Sequence, residues 1–260
     1  MLLVSGDPLA EEAMLSRNTS ENPAVLSYYT MRRMVGVIAM MLPFALAGGA
    51  ICAALFGPGQ TLPHPLLERT ISDYYFTSMR NLYVGGLCAI AGFLAGSRGY
   101  DLHDEIAGYV AGFCALGVAF FPSFNPKGGP YTDWELTAGF MHTAFAALMY
   151  LVLAYMCIFR FRKSSPGRHL TERKRRRNHV YQGAGLVMLA CMFAIVVLTI
   201  RSVVERRHPS HWLFWCETVA LVAFGVAWLT KGEGILRDRP HPDRRTAAHR
   251  RAAQQSSGGR

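Results

Sequence analysis

Residues 34–56 read MVGVIAMMLPFALAGGAICAALF, an uncharged apolar run long enough to cross the hydrocarbon of a bilayer. Pro43 lies inside it and predicts a kink, which a membrane helix tolerates because neighbouring helices satisfy the freed backbone groups. Working outward, comparable runs recur at about 81–97, 106–121, 136–159, 180–200 and 212–230. The stretches between them are short and polar, without the alternating polarity of a soluble mixed domain of this length. The expected fold is therefore all-α, an integral membrane bundle of six transmembrane helices over residues 33–232. Residues 1–32 read as a cytoplasmic tail, because the N-terminus lacks a basic segment and carries Asp7, Glu11 and Glu12, unlike a cleavable signal. Residues 233–260, rich in Pro, Arg and Ser, read as a disordered basic tail.

Bulk composition alone would not have separated a membrane protein from a soluble one. Of 260 residues, 51% are hydrophobic and 17% charged, because the tails and one loop hold much of the charge. The net charge of +10 is not an argument for nucleic acid. The basic residues sit beside the ends of apolar runs and in the C-terminal tail, and no aromatic stacking residue accompanies that tail. Their expected partner is membrane lipid, with anionic inner-leaflet lipid at the loop 160–177.

That same loop sets the orientation. It holds nine Lys and Arg residues and should face the cytoplasm, which places both termini inside and the connections 57–79, 122–135 and 201–211 outside. Arg201, Arg206 and Arg207 in the last connection run against the rule but are outnumbered. Trp134, Trp212, Trp215, Tyr131 and Tyr83 fall near the outer boundary, and Tyr100, Tyr155, Tyr181 and Trp228 near the inner one, as two aromatic belts.

The second and third runs are joined by a tight SRGYDLHDE connection and should form an antiparallel hairpin. Gly92 with Gly96, and Gly108 with Gly112, have the small-xxx-small spacing that permits close backbone approach. Glycine is also simply common in membrane helices, so both explanations stand. All six cysteines (Cys52, Cys88, Cys114, Cys157, Cys191, Cys216) lie inside apolar runs without a CxxC pair and read as packing residues.

Ionisable groups inside spans are costly and so mark candidate sites. His142 lies roughly 9 Å below the outer end of the fourth run and Glu217 roughly 7 Å into the sixth, at 1.5 Å per residue. Asp73, Arg80 and Asn81 approach the same side from the first outer loop. An inward-facing Glu217 needs a partner, for which Arg80 or His142 is expected. One reading is a buried ion-pair or hydrogen-bond cluster that fixes packing. The other is an outward-facing pocket of Asp73, Arg80, Asn81, His142 and Glu217 for a lipid head group or small solute.

A metal-dependent membrane hydrolase is the sharpest variant, with His142, Glu217 and Asp73, joined by His208 or His211, as zinc ligands; no helix carries an HxxxH pair, and no cofactor is expected. His64, His103, His169 and His179 read as solvent-facing or interfacial. The segment 72–81 reads as an aromatic anchor with Ser72 or Asp73 as helix cap, or as pocket lining. Ser72 and Ser78 have no adjacent histidine to activate them, so a serine nucleophile is not expected. A transporter is a further alternative, though inverted repeats and paired broken helices are lacking.

The hairpin of short runs, the Phe121-Pro122 ending and the histidine of GFMHTAFAALMY (His142) resemble six-span membrane proteins of the DRAM/Sfk type and related bacterial membrane domains of unknown function. ISDYYFTSMRNLYVG and FWCETVALVAFGVAWLTKGE are similar to segments of such bacterial proteins, over about residues 33–232. The resemblance implies a six-helix bundle in a bacterial inner membrane, with no enzymatic activity established for bacterial members, and carries the FP…H pattern onto Phe121, Pro122 and His142. A remoter likeness, to zinc hydrolases of the alkaline-ceramidase and progestin-receptor type, lacks their closing paired histidines and their seventh span.

Overall fold

The computed structural model describes residues 23–57, 67–97, 101–126, 128–163, 172–205 and 211–232. Residues 1–22 of the expected N-terminal tail and the whole of the expected C-terminal tail 233–260, together with His64, Tyr100, His169 and Arg206–His208, lie outside the described residues. Six α-helices are present among the described residues, with no strand: α1 Pro23–Phe56, α2 Arg80–Gly96, α3 Leu102–Phe120, α4 Asp133–Tyr155, α5 Glu172–Val204 and α6 Trp212–Lys231. A short 3-10 helix, Ser72–Phe76, precedes α2, and a π-helical turn, Met156–Arg160, continues α4.

Four helices are long and apolar enough to cross a membrane: α1 over Tyr29–Phe56, α4 with its π turn, α5 and α6. Of the remaining two, α2 has 17 residues, and α3 opens on His103, Asp104 and Glu105. Large apolar side chains such as Phe44, Phe113, Phe140, Phe159 and Phe193 are exposed on the outside of the bundle, where a soluble protein would place polar groups.

Each helix packs on its successor, and α6 returns to pack on α1, closing a ring. Glycine makes the tightest crossings possible. A side-chain carbon added to Gly36 of α1 would stand 2.8 Å from the Gly225 carbonyl oxygen of α6, and one added to Gly225 would stand 2.7 Å from that of Gly36. Gly108 and Gly112 of α3 lie similarly against the backbone of α2, at Leu94 and Ala91. Gly92 meets nothing, so of the two spaced pairs only the α3 pair serves the hairpin. Pro43 is buried within α1, which continues through it.

Several sequence-based boundaries move. α1 begins at Pro23, inside the expected tail, and α5 begins at Glu172, inside the basic loop. α3 begins at Leu102 because Asp101 caps it, its carboxylate accepting from the Asp104 amide at 3.1 Å. Of the belt aromatics, Tyr83, Tyr181 and Trp228 are buried in the core, whereas Trp134, Trp212, Trp215 and Tyr155 are exposed. The cysteines form no disulfide; Cys114 and Cys157 are buried, and Cys52 is exposed.

The ends of the ring differ in chemistry. At one end the π turn delivers buried Arg160 to Asp104 and Asp101 of α3, and Lys163 adds a 2.8 Å contact to Asp101. The Lys163 ammonium, followed by the Asp104 amide and the Arg160 guanidinium, holds the Asp101 carboxyl at about 2. Arg33, ten residues past the start of α1, donates to the Gly232 carbonyl at 2.9 Å and ties α1 to the end of α6 at this same basic end. The opposite end carries the 3-10 helix and the residues singled out above.

Candidate functional site

Residues 67–79 lie across the end of the bundle remote from Arg160, and hydroxyls shape their turns. Thr70 Oγ1 accepts from the Asp73 amide at 3.0 Å. Thr77 Oγ1 accepts from the Met79 amide at 3.1 Å and donates to the Tyr74 carbonyl at 2.9 Å. Local capping in this segment therefore falls to these two threonines and not to Ser72 or Asp73. Ile71, Asp73 and Tyr74 are buried, while Ser72 is half-buried.

Glu217 anchors this segment to α6. Its Oε2 accepts the Ile71 amide at 2.6 Å, and the Ser72 amide also faces the carboxylate. The expected partners, Arg80 and His142, are otherwise engaged. Arg80 is exposed at the start of α2, donates to the Tyr75 hydroxyl and stacks over the Tyr75 ring at 4.3 Å. Main-chain amides at the start of a helical turn carry partial positive charge and are fixed in place, so they satisfy a carboxylate without the ordering of a long side chain. Asn81 is exposed beside Arg80.

His142, 5% exposed, bridges two other elements. Its Nδ1 lies 2.8 Å from the Phe121 carbonyl oxygen at the end of α3, and its Nε2 lies 2.9 Å from Ser72 Oγ. A carbonyl only accepts, so Nδ1 carries the proton. In the neutral ring Nε2 then accepts from the Ser72 hydroxyl. Ser72 Oγ also receives the Tyr83 hydroxyl at 3.5 Å. Thus Ser72, set aside on sequence for want of a neighbouring histidine, has one supplied from 70 residues away.

Asp73 is directed inward and lies within electrostatic reach of Glu217. Burial, above all, raises its carboxyl to about 6; the Thr70 hydroxyl opposes this, Glu68 adds to it, and the Thr70 amide and Arg69 oppose it further. Tyr150 of α4 lies within reach of Glu217 as well. The structure thus brings Ser72, Asp73, Tyr83, His142 and Glu217 to one end of the bundle, with Arg80 and Tyr75 on its exposed rim.

Among the described residues no three His, Cys, Asp or Glu side chains gather closely enough to hold a metal ion. His142, the nitrogen ligand a zinc site would need, directs its two ring nitrogens at Phe121 and Ser72. Of the other histidines, His103, His179 and His211 are exposed.

No family model, curated protein or solved structure matches the chain.

Proposed function

We propose that the chain is a six-span plasma-membrane protein, both termini cytoplasmic, whose outward end binds a lipid head group or a small solute of like chemistry. In this reading α2 and α3 also span. At 1.5 Å per residue, the 17 residues of α2 cover roughly 25 Å, close to the hydrocarbon thickness. Both also lie within the closed ring between α1 and α4. Asp104 and Arg160 sit at the basic end, where the positive-inside rule puts the cytoplasm.

The observation that carries the binding reading is the convergence of Ser72, Asp73, His142 and Glu217 at the end opposite those basic residues. Buried polar groups in a membrane bundle are costly and tend to mark where a polar molecule is received. The inner members are acceptors and hydroxyls, and the cationic Arg80 is on the rim, exposed at the start of α2. That arrangement suits an amine-bearing head group, its ammonium toward Asp73 and its phosphate toward Arg80.

Protein purified in mild detergent and exposed to equal phosphatidylethanolamine and phosphatidylglycerol should retain the first in native mass spectra. Asp73→Asn should weaken retention about tenfold, the loss of one charge-assisted contact of about 1.4 kcal/mol. Equal retention of both lipids, indifferent to the substitution, would refute the reading.

A further inference from the structure

We infer that Ser72 is the nucleophile, and His142 its general base, of an acyl-transfer reaction on ester-bearing lipid at the outer face. The inference rests on the reading of this end as the place where a lipid head group sits, and it adds a reaction to that binding.

A serine hydroxyl becomes a nucleophile when a base accepts its proton and a third group fixes the base. All three are present here. Nε2 of His142 is 2.9 Å from Ser72 Oγ, within the reach required for proton transfer. Nδ1 faces the Phe121 carbonyl at 2.8 Å, with the Val118 carbonyl of the same turn also in contact. These are the last carbonyls of α3, the negative end of that helix, so they are placed to stabilise an imidazolium as it forms. His142 is buried, so the base is kept from bulk water, while Ser72 as a residue is only half-buried.

Two neighbours complete the arrangement. The Tyr83 hydroxyl, 3.5 Å from Ser72 Oγ, is a donor within reach of an oxygen bonded to the attacked carbon. Glu217 holds the Ile71 amide and so sets the turn that aims Ser72; it is a positioning residue. In the six-span reading the 3-10 helix, which precedes α2 in the chain, belongs to the outer boundary, the level where glycerol esters join acyl chains to head groups.

The steps balance. Ser72 Oγ attacks the ester carbonyl carbon, and its proton passes to His142 Nε2. The oxyanion takes the Tyr83 hydrogen bond. Collapse of the tetrahedral adduct breaks the bond to the leaving alcohol, which departs with the proton from Nε2. Water then attacks the acyl-serine, giving its proton to Nε2, and the second collapse releases the fatty acid and returns the proton to Ser72.

The test uses the full chain in detergent micelles with an alkyl fluorophosphonate, which bonds an activated serine through phosphorus and expels fluoride. The expected result is one adduct located by peptide mass at Ser72, absent from Ser72→Ala, and formed about 100-fold more slowly in His142→Gln. The wild-type adduct is located directly, so the test does not depend on a variant folding. Wild-type protein that retains phosphatidylethanolamine yet gives no adduct at Ser72 would overturn the nucleophile and leave the binding reading intact. An adduct at Ser72 in protein that retains no lipid would support the nucleophile and overturn the binding reading.

Discussion

Glu217 offers the most direct test of how this end of the bundle is built. Its carboxylate accepts the Ile71 amide at 2.6 Å and also faces the Ser72 amide, so Glu217→Ala strands buried main-chain donors. A hydrogen bond of this kind contributes about 0.5–1.5 kcal/mol net, and an orphaned buried donor costs about 1–3 kcal/mol. Removing the carboxylate also relieves its own burial, so the expected net loss is about 2 kcal/mol. Glu217→Gln keeps a side-chain carbonyl at the same place and should cost less than about 1 kcal/mol. Unfolding by SDS in mixed micelles, followed by tryptophan fluorescence, measures both. Hydrogen exchange localises the loss: a local loss of about 2 kcal/mol should speed exchange of amides 71–77 by about 30-fold in the alanine variant. If alanine and glutamine cost the same, or exchange rises evenly across the bundle, Glu217 does not act through the 3-10 helix.

Two further outcomes follow from packing and burial. Gly112→Ala places a carbon 2.9 Å from the Ala91 carbonyl oxygen and should destabilise the α2–α3 contact by about 1–3 kcal/mol, while Gly92→Ala, with nothing within 4 Å, should be neutral or stabilising in the same unfolding assay. Asp73 binds its proton more tightly folded, at about 6, than unfolded, at 3.8, so the folded state holds the extra proton between those values and stability falls as pH rises through that window. Asp73→Asn should therefore stabilise the protein by about 3 kcal/mol at most above pH 6, and the gain should vanish near pH 4 in parallel denaturation series; a gain unchanged at acid pH would refute the burial argument.

Much of the architecture was legible because the apolar runs report it directly. The interiors of all six runs are helical where the sequence placed them. Their limits were less legible, because polarity marks where lipid ends and not where hydrogen bonding ends. Arg and Lys are good helix formers, so the charges after Glu172 lengthen α5 instead of stopping it. Asp104 and Glu105 read as loop by polarity, yet acidic residues favour a helix N-terminus and Asp101 caps it. The glycines show the limit of spacing as a signal. Gly36 and Gly225 make the closest reciprocal crossing without forming any local pair, whereas Gly92, correctly spaced, faces open space.

The site was harder to read because its contacts run between distant segments and through the backbone. Pairing Glu217 with Arg80 assumed that opposite charges find one another. The fold offered Glu217 main-chain donors already fixed in a turn, and left Arg80 to an aromatic ring on the rim. Ser72 and His142 are 70 positions apart, so no local motif could have joined them. Yet both residues were visible for separate reasons: His142 as an ionisable group inside an apolar run, Ser72 as a candidate cap in the segment that leads into the second run. The Phe121 carbonyl could not be read at all, since every residue has one, and only the end of α3 aims it at Nδ1. It follows that substitutions at Phe121 which preserve the helix end should leave His142 oriented, whereas lengthening α3 by one residue should turn that carbonyl away and slow fluorophosphonate labelling of Ser72.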